Sequence, residues 1–123
     1  MRIKQGRLKQ YHLKPAVPKK DNEGSTYIEY GEPIAFSGVV WPAGGKLQAE
    51  IYGQRLNYIC NCKVDGAYTI ENDEDGTLRY KFNGFGLKEG DGICIYAGED
   101  SKPDYKIIAI KPYKPLYMEV EKI

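Results

Sequence analysis

The chain has 123 residues and a mass of 13.9 kDa, the length of one domain that can bury its own core. Hydrophobic residues at 41% and charged residues at 28% exclude a disordered chain. Eighteen Lys and Arg against 17 Asp and Glu give +1, which excludes a globally basic nucleic-acid binder and a strongly acidic protein.

Twelve Ile, five Val and 11 Tyr outweigh seven Leu and seven Ala, and Gly and Pro supply 21 residues. β-branched and aromatic residues suit a pleated, half-buried surface, and frequent turn residues cut it into short strands. The fold class is therefore all-β, a small barrel or sandwich of about seven short, mostly antiparallel strands with long polar loops. The whole chain, 1–123, reads as one β domain with a basic, extended segment over residues 1–25.

That segment carries Arg2, Lys4, Arg7, Lys9, Lys14, Lys19 and Lys20 before any acidic residue. Within it Leu8–Leu13 reads as a strand with Lys9, Tyr11 and Leu13 on one face, ended by Pro15 and Pro18, which cannot donate to a ladder. Lys19–Ser25 reads as an exposed loop. Tyr27–Tyr30 and Ile34–Trp41 are strands, the latter with Gly38 as a bulge or a point of close approach. Lys46–Tyr52 fits a strand or a helical turn equally, being too short for periodicity to decide.

Leu56–Val64 alternates Leu56, Tyr58, Cys60, Cys62 and Val64 onto one strand face. The acidic run Glu71–Gly76 is a hairpin tip, and Leu78–Phe82 follows with Leu78, Tyr80 and Phe82 inward and Arg79 and Lys81 outward. Gly84-Phe85-Gly86 reads as a bend. Ile93–Tyr96, Tyr105–Ile110 and Leu116–Glu121 complete the strands, separated by a loop over Gly98–Asp104 and by Pro112 and Pro115.

No catalytic, cofactor-binding or metal residue emerges from these motifs. Cys60-Asn61-Cys62 lacks the two-residue spacing of common zinc knuckles, and in a strand its sulfurs read as small buried hydrophobes. Cys94 joins them as a third, odd cysteine, which points to free thiols in a reducing compartment. His12 is the lone histidine, and a Ser/His or Cys/His device needs it beside Ser37 or a cysteine. Asp73-Glu74-Asp75-Gly76 echoes a calcium loop, but counting Asp73 as position one puts Gly84 where the liganding Glu belongs. The lone Gly-x-Gly lacks the strand-to-helix setting of a phosphate loop. The polar N-terminus lacks the apolar core of a signal peptide, and no apolar run approaches the ~20 residues of a membrane helix. Synthesis in a cytoplasm, with no membrane contact, is the expectation. The Tyr-rich strands leave an oligonucleotide-binding barrel as the alternative to an assembly module.

The C-terminal third is more specific. Asp91-Gly92-Ile93, a short strand, Gly98, Tyr105–Ile110 and Leu116–Val120 together resemble the head-closure (head–tail joining) proteins of tailed bacteriophages. The likeness extends over most of the chain and is nearest to the head-closure proteins of defective prophages of the PBSX type. It implies a structural, non-enzymatic subunit without cofactors. Such subunits form a connector ring between portal and adaptor proteins on one side and tail-terminator-type proteins on the other. Genome DNA passes through the ring without sequence-specific binding. It also implies that Asn22–Gly24, Pro42–Gly45, Glu71–Gly76, Ser101–Asp104 and the N-terminal segment are contact elements. The interface residues expected on that basis are Arg2, Lys4, Arg7, Lys9, Lys19 and Lys20 on the basic side, with Glu71, Asp73, Glu74 and Asp75 on the acidic side.

Overall fold

The computed structural model describes residues 7–123, which form eleven strands and one short α-helix. Six strands close a barrel in the order β1 (Lys9–Lys14), β4 (Ile34–Pro42), β5 (Ile59–Val64), β11 (Leu116–Lys122), β10 (Tyr105–Lys111) and β9 (Gly92–Cys94). All neighbours are antiparallel, and β9 pairs with β1 to complete the circle. An all-β barrel is thus what the chain adopts.

Alternation along the strands fills the interior. Leu13, Phe36, Cys62, Val64, Ile93, Ile107, Leu116, Met118 and Val120 all point inward and are buried. Gly38 is a point of close approach: a Cβ there would lie 2.6 Å from the Lys63 carbonyl oxygen. The one register shift in the barrel sits instead in β10, between Ile107 and Ala109.

Two smaller sheets hang from this barrel. β2 (Ala16–Lys20) and β3 (Thr26–Tyr30) form a two-stranded ribbon between β1 and β4. Pro18 therefore does not end the strand as its sequence suggests. It sits opposite Ile28 in a ribbon, whose outward edge needs no donor. Lys19 and Lys20 belong to β2, and only 21–25 is a turn. The second sheet is β6 (Thr69–Asn72), β7 (Leu78–Phe82) and β8 (Phe85–Leu87), so Phe85-Gly86-Leu87 is a strand rather than a bend.

The three-stranded sheet joins the core through aromatic rings. Phe85 stacks on Phe82 at 5.0 Å and meets Phe36 of the barrel at 6.2 Å. Tyr68 packs on Phe82 at 5.4 Å and edge-on to Tyr80 at 6.1 Å. Tyr80 is buried opposite Leu87, whereas Leu78, read as inward from its alternation, lies beyond the barrel and is exposed.

α1 (Lys46–Tyr52) resolves the ambiguous segment as helix. It continues into a 3-10 helical segment, Gly53–Tyr58, so Leu56 and Tyr58 are not on the strand face and β5 begins at Ile59. Gly53 ends α1 at a positive φ of 57°, which favours glycine, and its N–H donates to the Ala49 carbonyl.

Replacing Tyr80 with Ala removes a ring between Tyr68 and Leu87 and costs about 3 kcal/mol of stability on the large-to-small scale. Urea unfolding measures it, and a midpoint equal to the parent protein's would show that the three-stranded sheet contributes nothing to the core. Cys60, Cys62 and Cys94 are all buried and free. Burial first and then Cys60 push the Cys62 thiol up to about 12. Native protein should therefore react slowly with a thiol reagent and quickly once denatured, and rapid native labelling of Cys60 or Cys62 would contradict their place inside the barrel.

Candidate functional site

Each projecting element is held by a specific set of polar contacts. α1 has seven residues, too few to persist alone, and none of them is buried. Its anchor is Gln48. The side-chain carbonyl of Gln48 accepts from the Gly44 N–H at 3.0 Å, tying the helix to the turn that precedes it. Its amide donates to Asn61 Oδ1 at 2.7 Å and to Glu119 Oε2 at 2.8 Å. Tyr117 donates from its hydroxyl to the same Asn61 oxygen. Asn61 and Glu119 lie on the outward side of β5 and β11, yet both are buried because α1 covers them.

Tyr52 lies one turn after Gln48 on the same helix face. Burial and then the Glu119 carboxylate, to which it hydrogen-bonds, push its phenol up to about 12. Arg55 secures the next segment with a two-pronged contact to Glu121, at 2.8 and 2.7 Å. The hydrogen bond from Arg55 holds the Glu121 carboxyl below its ordinary value. The helix is thereby inverted: polar Gln48 and Tyr52 face the barrel, while Leu47 and Ile51 remain 68% and 61% exposed.

The ribbon is held at its base. Asp91, fully buried, accepts from the Ala16 N–H at 2.9 Å, the Lys88 N–H at 3.0 Å and the Lys88 ammonium at 2.7 Å. Lys88 also donates to the Ala16 carbonyl at 3.1 Å. One carboxylate thus joins the start of β2 to the turn before β9. Beyond that base the ribbon is exposed, including Val17, Tyr27 and Ile28. A cleft of about 490 Å³ lies at its base between Val17, Glu29, Glu32 and the loop residues Glu99 and Asp100.

That loop, 96–104, is pinned by Asp104, which accepts from the N–H groups of Ile95, Tyr96 and Ala97. Lys14 donates to the Ser101 carbonyl, and His12 pairs with Glu99 at 3.2 Å. The structure places Cys94 directly across from His12, the pairing that a nucleophilic device would need. Burial pushes the Cys94 thiol up, and its acceptor is the Ser101 carbonyl at 3.9 Å. A nucleophilic cysteine uses the opposite shift, and the contacts of this neighbourhood hold the loop.

The expected interface residues fall in separate places. Arg2 and Lys4 lie outside the described residues. Arg7 precedes β1, and Lys9 is exposed on it. Lys19 pairs with Glu29 at 3.4 Å along the ribbon, and Lys20 is exposed near its tip. On the acidic hairpin Glu71 pairs with Lys81 at 3.3 Å and Asp73 with Arg79 at 3.3 Å. Asp75 caps the turn by accepting from the Thr77 N–H at 3.0 Å, and that bond lowers its pKa. Within one copy Lys19, Glu71 and Asp73 thus pair inside their own hairpins, while Lys9, Lys20 and Glu74 stand exposed. The helix face was missed because its apolar residues point outward, so the pattern of Leu47 and Ile51 marks the wrong side as covered.

No protein-family model, curated protein or solved structure matches this chain.

Gln48→Ala should cost about 2 kcal/mol, because Asn61 and Glu119 stay buried with fewer partners. The loss should be local, seen as faster proteolysis within residues 43–58 before global unfolding. Cleavage at the parent rate would show that Gln48 does not hold α1.

Proposed function

We propose that this chain is a structural subunit of a phage head–tail connector, a β-barrel that joins a ring between the portal–adaptor platform and the tail. The observation that carries this reading is the distribution of exposed apolar side chains around a closed barrel. Closure uses up the edges of the main sheet, so partners cannot add a strand there. Among the described residues, seven of the eleven large exposed hydrophobics lie instead on elements that project from it: Val17, Tyr27 and Ile28 on the ribbon, Leu47 and Ile51 on α1, Ile70 and Leu78 on the acidic hairpin; Tyr58, Tyr96, Tyr113 and Ile123 lie on segments flanking the barrel strands. Apolar groups grouped on projecting elements are what contact surfaces use. Surfaces of different kinds on one subunit suit head-to-tail contacts, which close into a ring when the rotation permits. The sequence resemblance to head-closure proteins supplies the setting: synthesis in a bacterial cytoplasm, then a place at the junction of head and tail, with genome DNA passing through.

In this reading no side chain performs chemistry, and assembly does the work. Each surface is small, and association costs translational and rotational freedom. A preformed platform lowers that cost by raising the effective concentration of subunits. The free chain is then a monomer or weak oligomer, and rings form where portal and adaptor already stand. The near-zero net charge suits a channel that DNA must traverse without sticking, since phosphate contacts add binding energy.

Deleting the gene from cells that make the parent particle should leave heads without tails, counted by electron microscopy. Glu71→Lys with Glu74→Lys should give the same defect in a folded protein, sparing Asp73, which pairs with Arg79, and Asp75, which holds the turn. A normal yield of tailed particles after the deletion would sink the connector reading.

A further inference from the structure

We propose that the β2–β3 ribbon of one copy packs on the α1 face of a second copy, making the head-to-tail contact of the ring. This rests on the ring reading above and names the surfaces that build it. Three observations lead there.

First, α1 presents its apolar side to solvent. Leu47 and Ile51 stand one turn apart on the helix and share a face. The polar network through Gln48 holds the helix in this orientation, so the exposure is built in rather than a frayed end. Second, the ribbon is two strands wide, and an isolated two-stranded sheet is marginal in water. Beyond its base it exposes Val17 and Tyr27 on one face and Ile28 on the other, and another surface against either face would complete it.

Third, the two regions carry complementary charge. Residues 14–33 and 96–104, the ribbon and the loop beside it, hold four lysines and seven carboxylates. Residues 43–63 and 106–122, which form α1 and the strands beneath it, hold seven basic side chains and three carboxylates. Opposite potentials steer encounter and fix orientation, and like ends repel, which disfavours ribbon-to-ribbon pairing. The occupant of the helix face is therefore a second copy of this chain. Placement suits a continuing contact. The ribbon enters β4 at Ile34 and α1 leaves it beyond Pro42, so the surfaces flank opposite ends of a strand about 30 Å long. Each copy thus offers a ribbon to one neighbour and a helix to the other.

The test uses two variants of the full chain. Tyr27→Lys with Ile28→Lys spoils the ribbon and gives it the wrong charge. Leu47→Glu with Ile51→Gln spoils the helix face. All four positions are exposed, and circular dichroism confirms each fold. Sedimentation at up to millimolar concentration should show weak self-association of the parent chain, and dissociation constants about tenfold larger or more for each variant alone. Mixing the two variants should restore a dimer and nothing larger, since only one good ribbon and one good helix face remain per pair. Carbodiimide cross-linking of isotopically distinct copies should join ribbon or loop carboxylates to Lys46, Lys63 or Lys111. Self-association unaffected by either variant would overturn this contact and leave the ring reading standing, with the helix face serving another protein. A parent chain that stays monomeric throughout would also overturn the contact, while the count of tailed particles decides the ring reading separately.

Discussion

The structure depends on closing six antiparallel strands into one barrel, and the weakest seams are the two made by β9, which pairs at three positions with β1 and at two with β10. β9 has only three residues and must pair on both sides. Asp91 immediately precedes it and is the side chain that makes this possible. Its buried carboxylate is satisfied by two backbone N–H groups and the Lys88 ammonium, while its backbone carbonyl accepts from Ile107 at 2.9 Å. A buried charge left without such partners is strongly destabilising, so the carboxylate specifies where the chain must turn. The same group fixes the base of the ribbon, so barrel closure and ribbon placement are set together.

Closure has a consequence for recognition. A closed barrel hides the backbone groups that an open sheet offers to partners. What remains outside is carried by the ribbon, the helix and the acidic hairpin, and the ribbon and the helix are attached by polar contacts at their bases rather than by cores of their own. α1 rests on Asn61, Glu119 and Tyr117 through one glutamine, the ribbon on Asp91, and the 96–104 loop on Asp104. Polar anchors leave the apolar side chains of these elements free to face outward. Only the three-stranded sheet is fixed mainly by apolar packing, through the stacked Phe82 and Phe85.

The charges follow the same division. Paired residues within each hairpin, Lys19 with Glu29 and Lys81 with Glu71, are exposed and contribute little to stability. Their value is in keeping each projecting element locally balanced, so that the difference between the ribbon region and the helix face comes from the residues around them. A chain with near-zero net charge can in this way still present surfaces of opposite sign.

Much of this architecture was legible in the residues. Period-two alternation marked Cys60, Cys62 and Val64, then Leu116, Met118 and Val120, as inward-facing, because a strand buried on one side enforces that period. Gly38 announced a close approach, because only a missing Cβ admits the Lys63 carbonyl. The acidic run announced a hairpin tip, because turn residues bounded it. Tertiary structure alone decided the rest. Lys46–Tyr52 became helix through hydrogen bonds from Gln48 to residues 13 and 71 positions away, which no local pattern encodes. Pro18 was accepted into β2 because the ribbon has an open edge there. Leu78 was left exposed because its strand outruns the barrel it covers. Strand order, with β11 between β5 and β10, is set by long-range pairing and core shape, and short segments of similar composition carry no record of which neighbour they will meet.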